Sequence, residues 1–272
     1  MMAMFARGDE DLAQIGGYHA KPHEYNRLIQ SVNQMLFDMV NRWLHNAQDW
    51  LMPAQCELCG GLGQEGRNIC AACRDDLPEM GPACRQCAAP LPAAGRCGIC
   101  QRHPRPFVAA TAAFLYQPPL DSLIQRLKFP GDLRLARLLG ELMAEELCAQ
   151  FVTPPDVDVM LPVPLHAARL RERGFNQALE LARPLARCLN LPLDTRCAER
   201  VRATVPQSGL PAKLRRRNIK GAFRVTAAVA GRRVAVVDDV MTTGHTVSEF
   251  AATLRRAGAA SVTVWLCARV PS

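Results

Sequence analysis

Residues 232–246 read RRVAVVDDVMTTGHT, and this stretch decides the fold. Val234 to Val237 is an unbroken run of small and β-branched apolar residues, the pattern of a strand buried on both faces, as in a parallel sheet. Two carboxylates, Asp238 and Asp239, stand at its carboxyl end, and a short Thr-Thr-Gly-His-Thr turn follows. From Val247 to Ala257 the pattern is helical and closes on Gly258, a good helix stop; Ser261 to Cys267 then resumes a strand. The spacing predicts a strand, loop, helix, strand unit. In such units ligands sit beyond the carboxyl ends of the strands.

The turn has its own chemistry. Backbone N–H groups at the mouth of a helix suit a terminal phosphate monoester, with the hydroxyls of Thr242, Thr243 and Thr246 and the ring of His245 around them. Gly244 lets the backbone approach such a group closely. Asp238 and Asp239 can accept hydrogen bonds from the vicinal hydroxyls of a ribose, directly or beside a Mg²⁺. A sugar carrying a 5-phosphate fits both halves. The plainer reading, a strand end with two solvated acids and a polar turn, accounts poorly for the whole DDVMTTGHT string after a buried strand.

Upstream, eight of the twelve cysteines fall in four CxxC pairs: Cys56 and Cys59, Cys70 and Cys73, Cys84 and Cys87, Cys97 and Cys100. Each pair can form a knuckle that turns two thiolates toward one ion, and two knuckles complete a tetrahedral S₄ shell. The expectation is two structural zinc ions with sequential pairing, the first four cysteines at one and the last four at the other. Closed Cys₄ sites leave no open position for catalysis. Lys and Arg are sparse here (Arg67, Arg74, Arg85, Arg96), so protein docking or a structural role stands level with nucleic-acid contact. Cys148, Cys188, Cys197 and Cys267 lack paired spacing and read as core or surface thiols.

The string VAVVDDVMTTGHT resembles the phosphoribosyl pyrophosphate (PRPP) loop of type I phosphoribosyltransferases. Together with LPVPLHAARLRERGFNQA and RRRNIKGAF it resembles the ComF/GntX family, whose members carry a cysteine-rich segment ahead of that domain. The resemblance implies an α/β protein: a type I phosphoribosyltransferase-like parallel sheet flanked by helices, preceded by a small double zinc ribbon and an N-terminal amphipathic helix. Read in order, the chain divides into an extension with an amphipathic helix over 1–50, the ribbon over 51–103 and the transferase-like domain over 107–272. The resemblance also implies PRPP with Mg²⁺ as ligand, and possible partners in single-stranded DNA and other competence proteins, since the family is associated with natural transformation and use of external DNA. Some purine-salvage relatives carry an Asp where Thr242 stands here, which argues against purine salvage and leaves the acceptor open. A transferase of unidentified acceptor and a non-catalytic PRPP-sensing or DNA-handling module both remain consistent with these strings.

The rest of the chain supplies the surroundings. Apolar residues from Leu28 to Leu44 repeat at helical spacing within an amphipathic stretch over 24–50. Val108 to Tyr116 and Val157 to Leu161 read as strands, Leu120 to Leu127 and Leu133 to Ala149 as helices. The second strand ends in Pro162-Val163-Pro164-Leu165-His166, a turn that admits a strained or cis peptide and that the resemblance makes the pyrophosphate loop. Arg169 and Arg173, four apart, suit a diphosphate if the segment is helical, and Asn176 is placed to cap the helix that runs to Leu189. Residues 195–224 are the most basic part of the chain, with Arg202, Lys213, Arg215, Arg216 and Arg217 among them. They read as a loop closing over a sugar diphosphate or as a path for single-stranded nucleic acid.

Composition sets the outer bounds. Lys and Arg exceed Asp and Glu by 8, which favours anionic partners, and an aromatic fraction of 6% argues against an extended base-stacking surface. No apolar run approaches membrane-spanning length, and nothing near Met1 resembles a signal peptide, so a cytoplasmic protein is expected.

Overall fold

The computed structural model describes residues 54–64, 66–129, 132–151, 155–203, 219–225 and 227–271. The amphipathic stretch expected over 24–50 lies outside the described residues, as do Lys213, Arg215, Arg216 and Arg217. In chain order the elements are α1 (Ala71–Asp75), α2 (Gly98–Arg102), β1 (Ala109–Leu115), α3 (Leu120–Arg126), α4 (Leu133–Gln150), β2 (Val159–Pro162), α5 (Ala167–Arg173), α6 (Gln177–Leu189), β3 (Ala198–Arg200), β4 (Phe223–Val225), β5 (Arg233–Met241), α7 (His245–Arg256) and β6 (Ser261–Arg269).

Four strands form a wholly parallel sheet in the order β1, β6, β5, β2, while β3 and β4 pair antiparallel apart from it. Period-two alternation divides the core of the central strand. Ala235 and Val237 face a cluster with Leu135, Leu139, Leu142 and Met143 of α4 and Leu181 of α6. Val234 and Val236 face the other way, toward Val247, Phe250 and Leu254 of α7. Each fully buried Leu or Phe contributes about 1.5–3 kcal/mol, so this three-layer packing dominates the stability of the sheet. On the first face α4 and α6 approach closely at Gly140, where a Cβ would lie 3.0 Å from the carbonyl oxygen of Glu180.

Two expectations are corrected here. Cys148 of α4 and Cys188 of α6, read as separate thiols, form a disulfide with Cα atoms 6.9 Å apart. The juxtaposition comes from helix packing across 40 residues of sequence, which residue spacing does not reveal. The proline-rich turn after β2 contains no cis peptide; the cis bond among the described residues is Pro118-Pro119. Cys197 and Cys267 are buried thiols.

The cysteine-rich segment packs with the sheet in one compact unit, Ala54–Ser272. Its first half docks on the helical layer through Cys56, Ile69 and Leu77, which join the cluster of α4. Arg67 and Arg74 pair there with Glu145, Arg74 also reaches Glu146 at 3.3 Å, and Arg126 of α3 donates to the Glu57 carbonyl at 2.9 Å. These ion pairs are partly exposed and each is worth at most about 1 kcal/mol, so the apolar contacts carry the docking. The second half runs along the open edge of β1. The Leu115 N–H donates to the Pro78 carbonyl at 2.9 Å, and Gln86 donates to the Phe107 carbonyl at 3.2 Å. No helix among the described residues is long and apolar enough to cross a membrane.

Candidate functional site

The acid pair owes its position to a mismatch in strand length. β2 ends at Pro162, paired with Val237, and the Val163 N–H makes one more bond to the Val237 carbonyl at 2.9 Å. β5 continues to Met241 beside β6, so beyond Val237 it has a strand neighbour on one side only. Asp238 and Asp239 therefore belong to the strand, which runs past the end expected from the apolar run, and they stand where β2 no longer flanks it. Asp238 accepts from the Asp239 N–H at 3.0 Å, and Asp239 accepts from the Val240 N–H at 2.8 Å. Burial, reinforced by the neighbouring Asp239, holds the Asp238 carboxyl well above the usual carboxylate range.

Cationic groups gather around the pair. Arg173 is buried at the end of α5; loss of solvation lowers its pKa, while the charge of Asp239 acts in the opposite sense and that of Arg169 adds to the lowering. Arg200, at the end of β3, lies 5.7 Å from the centroid of the Phe223 ring and feels Asp238 and Arg169 in the same way. Sequence reasoning counted Arg200 only as one more basic residue in 195–224. No local signal separates it from its neighbours, because its role comes from β3 pairing with β4. Arg202 lies farther out, donating to the Lys220 carbonyl at 2.6 Å.

Asn176 has two jobs. Its Oδ1 accepts from the Ala178 N–H at 3.1 Å and caps α6, as expected, and its Nδ2 donates to the Val163 carbonyl at 3.1 Å. The cap thus pins the proline-rich turn beside the acids. His166 caps α5 in turn, its Nδ1 accepting from the Ala168 N–H at 3.3 Å.

On the other side, Gly244 is the N-cap of α7 with φ +76°, a left-handed conformation that an L side chain strains. A Cβ there would lie 3.0 Å from the Met241 sulfur. His245 and Thr246 open the helix, and Thr242 is exposed. The Oγ atoms of Thr243 and of Ser248, one turn into α7, are buried without a hydrogen-bond partner among the described residues. The orphaned Thr243 hydroxyl, next to the N-cap of α7, suits an oxygen of an anion. Ser248 was not anticipated, since a serine inside a helical pattern reads as a neutral surface residue.

The eight ribbon cysteines form two sets, Cys56, Cys59, Cys70, Cys73 and Cys84, Cys87, Cys97, Cys100, with all sulfurs of a set within 4.8 Å of one another. The Cys59–Cys70 and Cys87–Cys97 sulfur separations are 3.8 and 3.7 Å, close to the edge of a ZnS₄ tetrahedron built on about 2.3 Å bonds. Burial raises the Cys56 and Cys84 thiols. The knuckle N–H groups of Cys59 and Cys70 around Cys56, and of Cys97 and Cys87 around Cys84, outweigh it and bring each to about 6. Donor type, spacing and N–H support all suit structural zinc.

Asp238 makes a test of the site's cost to the fold. Its pKa is raised on folding, so its neutral form adds stability below the ordinary carboxylate range, and that contribution is lost as pH rises through the elevated value. Asp238→Asn should therefore raise the Tm of the ligand-free protein at pH 7, and its advantage over wild type should widen between pH 4 and pH 7 in thermal scans. An advantage that is constant with pH would show that the acid is solvated.

A parallel sheet with acids, a hydroxyl-lined loop and arginines at its carboxyl edge, and two Cys₄ ribbons on its flank, defines a phosphoribosyltransferase-type domain joined to a double zinc ribbon. Residues 176–272 match the phosphoribosyl transferase domain model and residues 47–101 the double zinc ribbon domain model. The chain is 40% identical over 226 residues to the DNA utilization protein YhgH of Salmonella typhi, covering 80% of this chain and 98% of that protein. Over 224 residues it is 35% identical to Competence protein F of Haemophilus influenzae, covering 79% and 96%. The chain belongs to the ComF/GntX family.

Proposed function

We propose that this protein binds PRPP together with Mg²⁺ and acts in the use of external DNA, as the names of its relatives suggest. The 5-phosphate occupies the Thr242–Thr246 loop, the ribose hydroxyls meet Asp238 and Asp239, and the diphosphate lies toward Arg169, Arg173 and Arg200. The observation that carries this reading is the meeting of the acid pair and the loop with its orphaned Thr243 hydroxyl at one end of the sheet. Mg²⁺ supplies charge neutralisation of the diphosphate when bound; the chain's own groups position the sugar and stabilise the departing charge. Transfer to an amine or base and PRPP sensing without transfer share this site. Release of pyrophosphate on adding candidate acceptors separates them.

The test is thermal unfolding of the zinc-loaded protein with Mg²⁺, with and without PRPP, beside Asp238→Asn/Asp239→Asn. At a ligand concentration of about a hundred times Kd, linkage gives about 2.7 kcal/mol, a rise of several degrees for a domain of this size. The double variant should show none of it. Absence of a rise in wild type at millimolar PRPP would refute the reading.

A further inference from the structure

Arg105 lies in the short connection between the second ribbon and β1, and it adjoins both of the sites described above. On one side its guanidinium donates to the sulfur of Cys100, a fully buried member of the second four-cysteine set. On the other its Nη1 lies 3.7 Å from where a Cβ on Gly244 would sit, which places the charge against the N-cap of α7. Its Nε is buried without a hydrogen-bond partner among the described residues. Gln86, itself buried, donates to the carbonyls of Arg105 and Phe107 at 3.4 and 3.2 Å and so fixes the backbone of this connection on the ribbon.

The N-terminus of a helix carries partial positive charge, and its first N–H groups lack partners. A guanidinium set against it is repelled unless an anion is shared between them. The Thr243 hydroxyl, buried and unpartnered, precedes the same glycine. A cation, a hydroxyl and the N–H groups that open α7 therefore adjoin Gly244, and one compact anion with several acceptor oxygens satisfies them together, the character of a phosphate monoester. From the ribbon side, zinc held by four thiolates leaves a net negative charge that draws the same guanidinium.

Arg269 repeats the arrangement at the next position of the set. It hydrogen-bonds the Cys87 sulfur as well as the Cys87 carbonyl, and it reaches the Met241 carbonyl just ahead of the loop. The first set has a different neighbourhood, since Arg67 and Arg74 of its ribbon pair with Glu145 of α4. We infer that Arg105 is a ligand-binding residue of the sugar-phosphate site, meeting the 5-phosphate in the Thr242–Thr246 loop, and that through its bond to Cys100 the second zinc cluster and that phosphate strengthen one another. The inference rests on the PRPP reading. It gives the second ribbon a part in the site and leaves the first as a docking element. By linkage, whatever the cluster adds to phosphate affinity the phosphate adds to retention of the cluster's zinc.

The experiment measures, by calorimetry on the full zinc-loaded chain with Mg²⁺, the binding of PRPP, ribose 5-phosphate and pyrophosphate. Arg105→Gln removes charge at the 5-phosphate end alone. It should weaken PRPP and ribose 5-phosphate by about tenfold or more, the scale of one charge-assisted hydrogen bond, and leave pyrophosphate within about twofold of wild type. A merely structural role would weaken all three alike, and that result would overturn the inference. So would unchanged affinity for ribose 5-phosphate in a variant that keeps its zinc. If the substitution costs the chain its zinc, wild type supplies the test: ribose 5-phosphate should slow the loss of one of the two zinc ions to a colorimetric chelator severalfold, and ribose should not. Equal slowing by both, or by neither, would overturn the inference. A wild-type chain that binds none of the three calorimetric ligands would refute the PRPP reading and this inference with it, whereas wild-type binding that Arg105→Gln leaves intact would overturn the inference alone.

Discussion

Removing zinc should unfold the ribbon and lower the Tm of the whole protein by more than ten degrees. The ribbon's apolar residues are few, and binding at a structural Cys₄ site supplies about 10–16 kcal/mol of folding free energy, as much as the entire stability of a typical domain. The loss should spread, because Cys56, Ile69 and Leu77 share the cluster of α4 and the second half bonds along β1. Cys59→Ser is the sharpest single change. Cys59 is exposed, so the substitution opens no cavity and its effect reports the metal alone. Atomic absorption should give two zinc ions per wild-type chain and one in the variant, with Cys197→Ser, outside both four-cysteine sets, keeping two. A protein that melts unchanged after exhaustive chelation would contradict the structural role.

Arg269 should be the most costly single residue outside the clusters. At the end of β6 it is 6% exposed, and its Nε donates to the Cys87 carbonyl and its Nη1 to the Met241 carbonyl, each at 3.0 Å. Burial lowers its pKa, yet the guanidinium stays charged and a third carbonyl, that of Val270, shares it. It thus joins a zinc-ligand knuckle to the residue that precedes the phosphate-type loop. Arg269→Met leaves the Cys87 carbonyl without this donor, while the Met241 carbonyl keeps the Val270 N–H at 3.1 Å, and should cost about 1–3 kcal/mol in urea unfolding. Arg269→Lys should recover only part of this, since a point ammonium cannot span both carbonyls. A cost below about 1 kcal/mol for the Met variant would show that water replaces the guanidinium and that ribbon and loop are not tied at this point.

The parts legible in the sequence were those in which a short string determines its own geometry. Val234–Val237, the capping role of Asn176 and the left-handed stop at Gly258 follow from side-chain chemistry within a few residues. The sequential grouping of the cysteines follows because a CxxC knuckle closes locally and its partner is about ten residues away. The site was legible only along β5 and its loop. Arg200 and Ser248 lie in strings that carry no distinguishing pattern, and Arg269 lies at the end of a strand where an arginine reads as solvated.

By itself, then, the sequence determined the parallel α/β unit, the acid pair, the hydroxyl-rich loop and two four-cysteine clusters, because each depends on contacts between near neighbours in the chain. Tertiary structure alone decided what long-range packing brings together. That includes the strand-length mismatch beside Asp238, the placement of Arg173 and Arg200 against the acids, and the Cys148–Cys188 bond between helices. It also decided that Arg67 and Arg74 of the first ribbon are consumed in docking against Glu145 of α4. The physical reason is one of range: backbone propensity and hydrophobic period act over a few residues, whereas the partner of a buried charge is fixed by how whole layers pack.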